Sequence, residues 1–121
     1  MSDRFPDAPP PAWLDPAELD DAAAELARTG ATGALNRYRN ADRDWADLAG
    51  HTGALLTQPA VFIGGELDAT STWMADVIAA QAETVPGLSS STLLPGCGHW
   101  VQHERPDEVN ELLTTWLADL P

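Results

Sequence analysis

The sequence predicts an α/β fold with an incomplete sheet, in which a helical segment is followed by strand, helix, strand and helix. Residues 59–65 form an apolar run without alternation that two glycines close, as in a strand buried on both faces of a parallel sheet. Residues 91–94 form a second short strand, and a helical pattern follows each strand. Two parallel strands are too few to bury the backbone of a sheet, so the pattern indicates the end of a larger fold.

The first half of the chain is predicted to be helical after a proline-rich, extended lead-in at residues 1–14. Asp15 is a suitable N-cap, Pro16 suits the first helical position, and Glu18 stands where a capping box places its acid. Gly30 ends this helix. The apolar residues on one face of the helix repeat at helical spacing, and they are Leu19, Ala22, Ala23 and Leu26.

Two shorter helices are predicted next, one at residues 35–40 and one around Trp45, whose aspartates lie mostly on the opposite face. Residues 50–58 are predicted to be a loop. The chain is therefore predicted to contain a helical segment at residues 15–58 and an α/β part at residues 59–121.

In the α/β part, the helix after the first strand is predicted to begin at a cap formed by Thr70 or Ser71 and to end at Pro86. Residues 95–96, a Pro-Gly pair, break the second strand. The last helix begins at Pro106. Its apolar residues hold a 3.6-residue period, and they are Val109, Leu112, Leu113, Trp116, Leu117 and Leu120.

The composition is that of an acidic, soluble chain of one domain's length. The 121 residues include 19 Asp and Glu against six basic residues, all arginines, for a formal net charge of −13. This charge argues against nucleic acid and anionic membrane surfaces as partners, because both need a basic face. No apolar run approaches the ~20 residues of a membrane span, and the N-terminus lacks the shape of a signal peptide. The single cysteine, Cys97, fits a reducing cytosol, so we expect a cytoplasmic protein.

Asp68 and His99 are candidates for catalysis because each follows a predicted strand, at the edge where open α/β sheets place their active sites. Histidine titrates near neutrality and is a natural general base, and an acid that precedes it in sequence can fix its tautomer. The pair thus corresponds to the last two members of a nucleophile–acid–histidine triad. Taken separately, Asp68 is more typical of a helix cap or turn former, and His99 of a packed or surface residue.

Tyr38 is a third candidate, because its phenol can donate a hydrogen bond to a substrate oxygen. Its place between two arginines on a short helix is, taken alone, more typical of a packing residue. Cys97 is interpreted as a packing residue, and His51 and His103 as solvated surface residues.

Three stretches resemble the epoxide hydrolases of the α/β-hydrolase fold, in order and in register over residues 11–120. Residues 33–40, which contain Leu-Asn-x-Tyr-Arg-Asn, resemble the lid of that family. Residues 59–68 resemble its acid-bearing strand and turn, and residues 94–106, which contain Gly-His-Trp, resemble its histidine loop. The resemblance implies the C-terminal part of an α/β-hydrolase fold, with the helical segment as lid and the α/β part as core.

The resemblance also implies a reaction, the hydrolysis of a small apolar epoxide to a vicinal diol without a metal or organic cofactor. In that family an aspartate nucleophile forms a covalent alkyl ester while two lid tyrosines hydrogen-bond the epoxide oxygen. A histidine held by an acid then activates water. Tyr38 matches the second lid tyrosine, Asp68 the acid and His99 the base, and Trp100 would help to wall the substrate pocket.

The chain departs from the family in the motifs that it lacks. Its sequence contains no His-Asp-Trp-Gly nucleophile elbow, no His-Gly-x-Pro oxyanion loop, no first lid tyrosine and no Gly-x-Ser-x-Gly. Arg37 and Ala31 also stand where the lid of the family commonly has aromatic residues. Because triad members act as a unit, we expect a truncated protein that does not hydrolyse epoxides alone.

Two alternatives remain open. The chain can come from another α/β-hydrolase, such as a haloalkane dehalogenase or an esterase, although neither substrate needs the phenol of Tyr38. It can also be a non-catalytic remnant or interaction module that complements a separate N-terminal half or self-associates through an unpaired sheet edge.

Overall fold

The chain divides into two units between Thr52 and Gly53 in a computed structural model that describes residues 10–120. The first unit is helical, and the second contains both strands. The order of elements in the second unit is strand, helix, strand and helix, which confirms the predicted α/β class. The assignment of the helical segment as a lid stays a prediction.

Residues 10–52 of the first unit contain three α-helices and one 3₁₀ turn. These are α1 (Pro16–Thr29), α2 (Thr32–Arg39), α3 (Ala41–Leu48) and a 3₁₀ turn (Ala49–His51). All three helices lie where the sequence predicts helices.

The ends of α1 follow from its sequence. The Asp15 carboxylate accepts a hydrogen bond from the backbone N–H of Ala17 at 2.8 Å, and Pro16 occupies the first helical position. At the other end, Gly30 adopts φ +72° and its N–H donates to the carbonyl oxygen of Leu26 at 2.8 Å. The cap thus bonds the second helical residue and not the third, which a capping box would use.

The predicted lead-in at residues 1–14 lies mostly outside the described residues. Its described end is not extended, because the N–H of Leu14 donates to the carbonyl oxygen of Pro11 at 3.0 Å and closes a turn. Proline sets the backbone angle that such turns require, so the same residues that predict an extended segment also permit a turn.

No residue between 10 and 52 is buried. Leu19 and Leu26, which belong to the predicted apolar stripe of α1, are 46% and 54% exposed. The stripe therefore exists as a pattern on the helix surface, but residues 10–52 do not bury it.

The second unit is built around a two-stranded parallel sheet, which confirms the predicted incomplete sheet. Its elements in chain order are β1 (Ala60–Gly65), α4 (Ala69–Trp73), α5 (Ala75–Thr84), β2 (Leu88–Leu94), α6 (Val101–Glu104) and α7 (Pro106–Ala118).

The sheet register runs from Ala60 opposite Leu88 to Gly65 opposite Leu94, with one irregularity after Ala60. The prediction that β1 is buried on both faces is wrong here, because only Gly65 is buried and its other residues are half-buried. Within the described chain β1 has one neighbouring strand, so its second edge is not covered by a strand. β2 begins three residues earlier than predicted.

The helical region after β1 differs from its prediction in two ways. Its cap is Asp68 and not Thr70 or Ser71, and it consists of two helices that are separated at Met74. The short helix α6, which the sequence does not predict, precedes Pro106 at the start of α7.

The core of the second unit joins β2, the turn that follows it and α7. Leu94, Cys97 and Val109 are its buried members. The partly buried residues that pack against them are Ile63, Val101, Leu112 and Leu113. Because Cys97 belongs to this core, the turn that carries His99 is anchored to it.

Candidate active site

The carboxyl ends of β1 and β2 meet at one edge of the sheet, and the turn after each strand carries a candidate residue. Gly65 ends β1 and pairs with Leu94, which ends β2. A Cβ added at Gly65 would lie 2.0 Å from the carbonyl oxygen of Gly98, so only glycine permits this approach. The N–H of Leu67 donates to the carbonyl oxygen of Cys97 at 2.8 Å, which joins the two turns directly.

Asp68 and His99 are in contact across these turns. Nδ1 of His99 lies 2.9 Å from Oδ2 of Asp68. Because an ionised carboxylate only accepts hydrogen bonds, Nδ1 carries a proton and donates a hydrogen bond to Asp68. The Asp68 side chain is 16% exposed, whereas that of His99 is 62% exposed. A largely buried carboxylate thus orients an imidazole ring that is largely exposed to solvent.

The second oxygen of Asp68 caps α4. Oδ1 accepts hydrogen bonds from the backbone N–H of Thr70 at 2.9 Å and from its hydroxyl at 2.5 Å. The hydroxyl of Thr70, the ring of His99 and the amide of Thr70 together lower the pKa of Asp68 from 3.8 to about 2. Asp68 therefore combines both interpretations of its sequence, as a helix cap and as the partner of a histidine.

Two further acids hold the histidine turn, and the sequence analysis missed both. Glu66 accepts a hydrogen bond from the N–H of Gly96 at 2.9 Å. Glu104 accepts from the N–H of Gly98 at 2.7 Å and from that of Trp100 at 3.1 Å. Nothing local indicates the first contact, which spans 30 residues. The second has a signal, because a glutamate four residues after Trp100 can reach back over one helical turn.

A cavity of about 300 Å³ adjoins the pair in the second unit. Asp68 and His99 lie at its polar part, and the N-terminal end of α4 contributes Thr70. Its apolar walls come from β1, α5 and the start of α6, and include Phe62, Ile63, Met74, Val77, Ile78 and Val101.

Trp100 and Tyr38 are placed differently from the pair. The ring of Trp100 meets the ring of His99 edge-on, with 5.2 Å between the ring centroids, and does not line this cavity. Tyr38 lies on α2 in the first unit and is 76% exposed. The structure thus brings Asp68, His99 and Trp100 together, while the substrate-binding roles of Trp100 and Tyr38 stay predictions.

Cys97 is fully buried, as expected of a packing residue, and burial raises the pKa of its thiol. His51 and His103 are exposed. Among residues 10–120, no group of three or more His, Cys, Asp or Glu side chains could hold a metal ion. Over the same residues, no helix has the length and apolar character that a bilayer crossing needs.

Comparison with known proteins identifies similar chains over nearly the whole length. Residues 1–112 match the model of the alpha/beta hydrolase family. Epoxide hydrolase A of Mycobacterium tuberculosis is 44% identical over 122 residues, which cover 98% of this chain and 36% of that protein. Epoxide hydrolase B of the same organism is 42% identical over 110 residues, which cover 91% of this chain and 31% of that protein.

Solved structures give the same result. An epoxide hydrolase from an endophytic Streptomyces superposes with a TM-score of 0.92 at 63% identity. The match covers 96% of this chain and 35% of that one. The chain therefore spans about a third of the length of the relatives that it matches.

Proposed function

Because the chain belongs to the alpha/beta hydrolase family, we propose that Asp68 and His99 are the acid and the general base of an epoxide hydrolase site. The family match and the structural neighbours confirm the predicted α/β-hydrolase fold, and the chain is epoxide hydrolase-like. The observation that supports the proposed roles is the 2.9 Å contact between the two side chains at adjacent strand ends.

In this proposal His99 acts in the hydrolysis of a covalent alkyl ester. With the proton on Nδ1 held by Asp68, the lone pair of Nε2 is available to take a proton from water. The water oxygen adds to the ester carbonyl carbon, and the bond from that carbon to the alkoxide oxygen breaks. The proton then passes from Nε2 to the alkoxide, which leaves as the diol. Asp68 stabilises the imidazolium that forms in between.

Tyr38 and Trp100 would contribute to substrate binding. The phenol of Tyr38 donates a hydrogen bond to the epoxide oxygen while the carbon–oxygen bond opens, which stabilises the developing negative charge. Trp100 walls the site beside the His99 ring. The apolar walls of the cavity next to Asp68 suit a small apolar epoxide. Neither step calls for a metal or an organic cofactor.

The ester itself requires a nucleophile that these 121 residues do not supply, since they contain no nucleophile elbow and no oxyanion loop. We therefore propose that the chain alone forms no ester and releases no diol. An N-terminal portion of the enzyme would be the partner that supplies both groups.

A chimeric enzyme tests the proposed roles. This chain replaces the matching third of the Streptomyces epoxide hydrolase, whose remaining part would supply the nucleophile. We expect the chimera to produce diol, and His99→Ala or Asp68→Asn to lower the turnover rate by about 10³–10⁴-fold, as for triad members. Because the nucleophile is intact, the ester should accumulate, and intact-protein mass spectrometry would detect it. Tyr38→Phe should instead slow formation of the ester.

His51→Ala is the matched control, because this histidine is exposed on the 3₁₀ turn of the first unit. It should leave turnover unchanged. An active chimera that keeps its rate after His99→Ala would contradict the assignment of the base. A folded but inactive chimera would favour the alternative of a non-catalytic interaction module, which the unpaired edge of β1 in the described chain also supports.

A further inference from the structure

One carboxylate, that of Glu104, bonds the backbone on both sides of His99. We propose that Glu104 is a positioning residue for His99, and that it holds Nδ1 of the ring within hydrogen-bond distance of Asp68. This inference rests on the proposed role of His99 as the base. Glu104 forms no described hydrogen bond with the His99 ring or with Asp68.

Each carboxylate oxygen of Glu104 accepts a hydrogen bond from a different backbone N–H of the histidine turn. Oε2 accepts from the N–H of Gly98 at 2.7 Å, and Oε1 accepts from the N–H of Trp100 at 3.1 Å. The Gly98 N–H belongs to the Cys97–Gly98 peptide and the Trp100 N–H to the His99–Trp100 peptide, so one carboxylate restrains the backbone on both sides of His99. This restraint limits the direction of the Cα–Cβ bond of His99.

The His99 side chain needs this backbone restraint because little else confines it. Its side chain is 62% exposed, and its described partners are Asp68 and the edge of the Trp100 ring. An exposed ring that rotates freely about its first side-chain bond would lose the Asp68 contact. Restraint of the backbone keeps the Cβ atom of His99 where at least one side-chain rotamer places Nδ1 next to Asp68.

Glu104 is itself held in place. Its N–H donates to the carbonyl oxygen of Trp100 at 2.9 Å, and Pro106 starts α7 two residues later. The amide of Gly98, with that of Trp100, keeps the pKa of Glu104 below its usual range. Glu104 is therefore ionised near neutral pH and accepts both hydrogen bonds. A Cβ added at Gly98 would lie 2.9 Å from Oε1, so the carboxylate packs directly against the turn.

A role for Glu104 as a mere cap of α6 accounts for only half of these contacts. Helix α6 begins at Val101, with Trp100 as its N-cap, so the bond to the Trp100 amide is a capping interaction. The bond to Gly98 lies outside the helix and contributes nothing to its end. It restrains the Cys97–Gly98 peptide, which lies one residue before His99.

Nuclear magnetic resonance of the 121-residue chain tests the proposal without substrate. Long-range ¹H–¹⁵N correlation spectra of the imidazole ring report which nitrogen carries the proton. In the wild-type chain, His99 should show one tautomer, with the proton on Nδ1. In Glu104→Ala it should lose this signature and show exchange between tautomers, as in Asp68→Asn. Glu104→Gln should give an intermediate result, because an amide oxygen accepts while its NH₂ group does not.

Glu111→Gln is the matched control, because Glu111 is an exposed acid of α7 and its loss changes the charge equally. It should leave the His99 tautomer unchanged. A single Nδ1–H tautomer in folded Glu104→Ala, in a chain where Asp68→Asn abolishes it, would overturn the proposal. If circular dichroism shows that Glu104→Ala is unfolded, an unchanged tautomer in folded Glu104→Gln overturns it equally.

The result is separate from that of the chimera. An inactive chimera would refute the proposed reaction while the tautomer measurement still supports a positioning role for Glu104. An active chimera combined with an unchanged tautomer would refute only the role of Glu104.

Discussion

The two units of the chain differ in the range of the contacts that organise them. Among residues 15–52 of the first unit, the side-chain hydrogen bonds join residues two to four apart, as between Asp15 and Ala17 or between Arg28 and Glu25. In the second unit two contacts at the site, between Asp68 and His99 and between Glu66 and Gly96, span about 30 residues. The first unit buries no residue between 10 and 52, whereas the second has a core. Local contacts thus make helices here, and distant contacts make the candidate site.

The largest effect on stability is expected where a leucine belongs to the core. Leu94→Ala should lower the free energy of unfolding of the second unit by about 2–5 kcal/mol, because Leu94 is 5% exposed and its loss leaves a cavity. Leu26→Ala removes the same atoms from α1, where the side chain is 54% exposed. This substitution should change the free energy of unfolding of the first unit by less than about 0.5 kcal/mol. Hydrogen exchange of the strand and helix amides measures both. Equal costs for the two variants would show that the units do not differ as described.

Replacing a glycine by alanine should change stability in opposite directions in the two units. Gly65→Ala should destabilise the second unit by about 1–3 kcal/mol, because its new Cβ meets the backbone of the histidine turn. Gly33→Ala lies within α2 and its Cβ would meet nothing within 4 Å, so it should stabilise that helix by about 0.5–1 kcal/mol. Urea unfolding followed by circular dichroism would compare them. A stabilising Gly65→Ala would contradict the close approach of the two turns.

The smallest effect is expected from acid titration of Asp68, because solvent near the exposed His99 ring weakens their interaction. The pKa of Asp68 is lowered to about 2, so the unfolded chain binds its proton more readily than the folded chain. Its contribution to stability is therefore complete above pH 3.8 and is lost as the pH falls to about 2. The difference in unfolding free energy between wild type and Asp68→Asn should shrink over this window. A constant difference would indicate that Asp68 is not bonded in the folded chain.

Sequence patterns predicted most of the elements because helix ends and apolar periods are local properties. The cap at Asp15 and the stop at Gly30 set the ends of α1, and the period beginning at Val109 predicted α7. The burial of β1 could not be predicted in the same way, because it depends on which strands flank it. An apolar run states what a strand could bury but not what is present to cover it.

The sequence predicted only part of the candidate site, because only some of its contacts follow from the order of strands and helices. Asp68 and His99 follow strands, and parallel strands end at the same edge of a sheet, so their meeting follows from topology. The contacts of Glu66 and Glu104 depend on how the backbone of the turn after β2 is folded. That path leaves backbone amides of the turn without backbone partners. The spacing of Glu104 from Trp100 is a local signal for one of the acids that bond them, but no residue pattern indicates Glu66, which lies 30 residues from Gly96.

The divided carboxylate of Asp68 has a consequence for the timing of catalysis. One oxygen starts a helix and the other orients an imidazole, so rotation of the carboxylate would break both arrangements at once. In the proposed reaction, the acid would therefore take up its geometry when the chain folds and not when a ligand arrives. A charge that is already oriented requires little reorganisation while bonds are being broken, so the folding of a single helical turn would lower the barrier to that reaction.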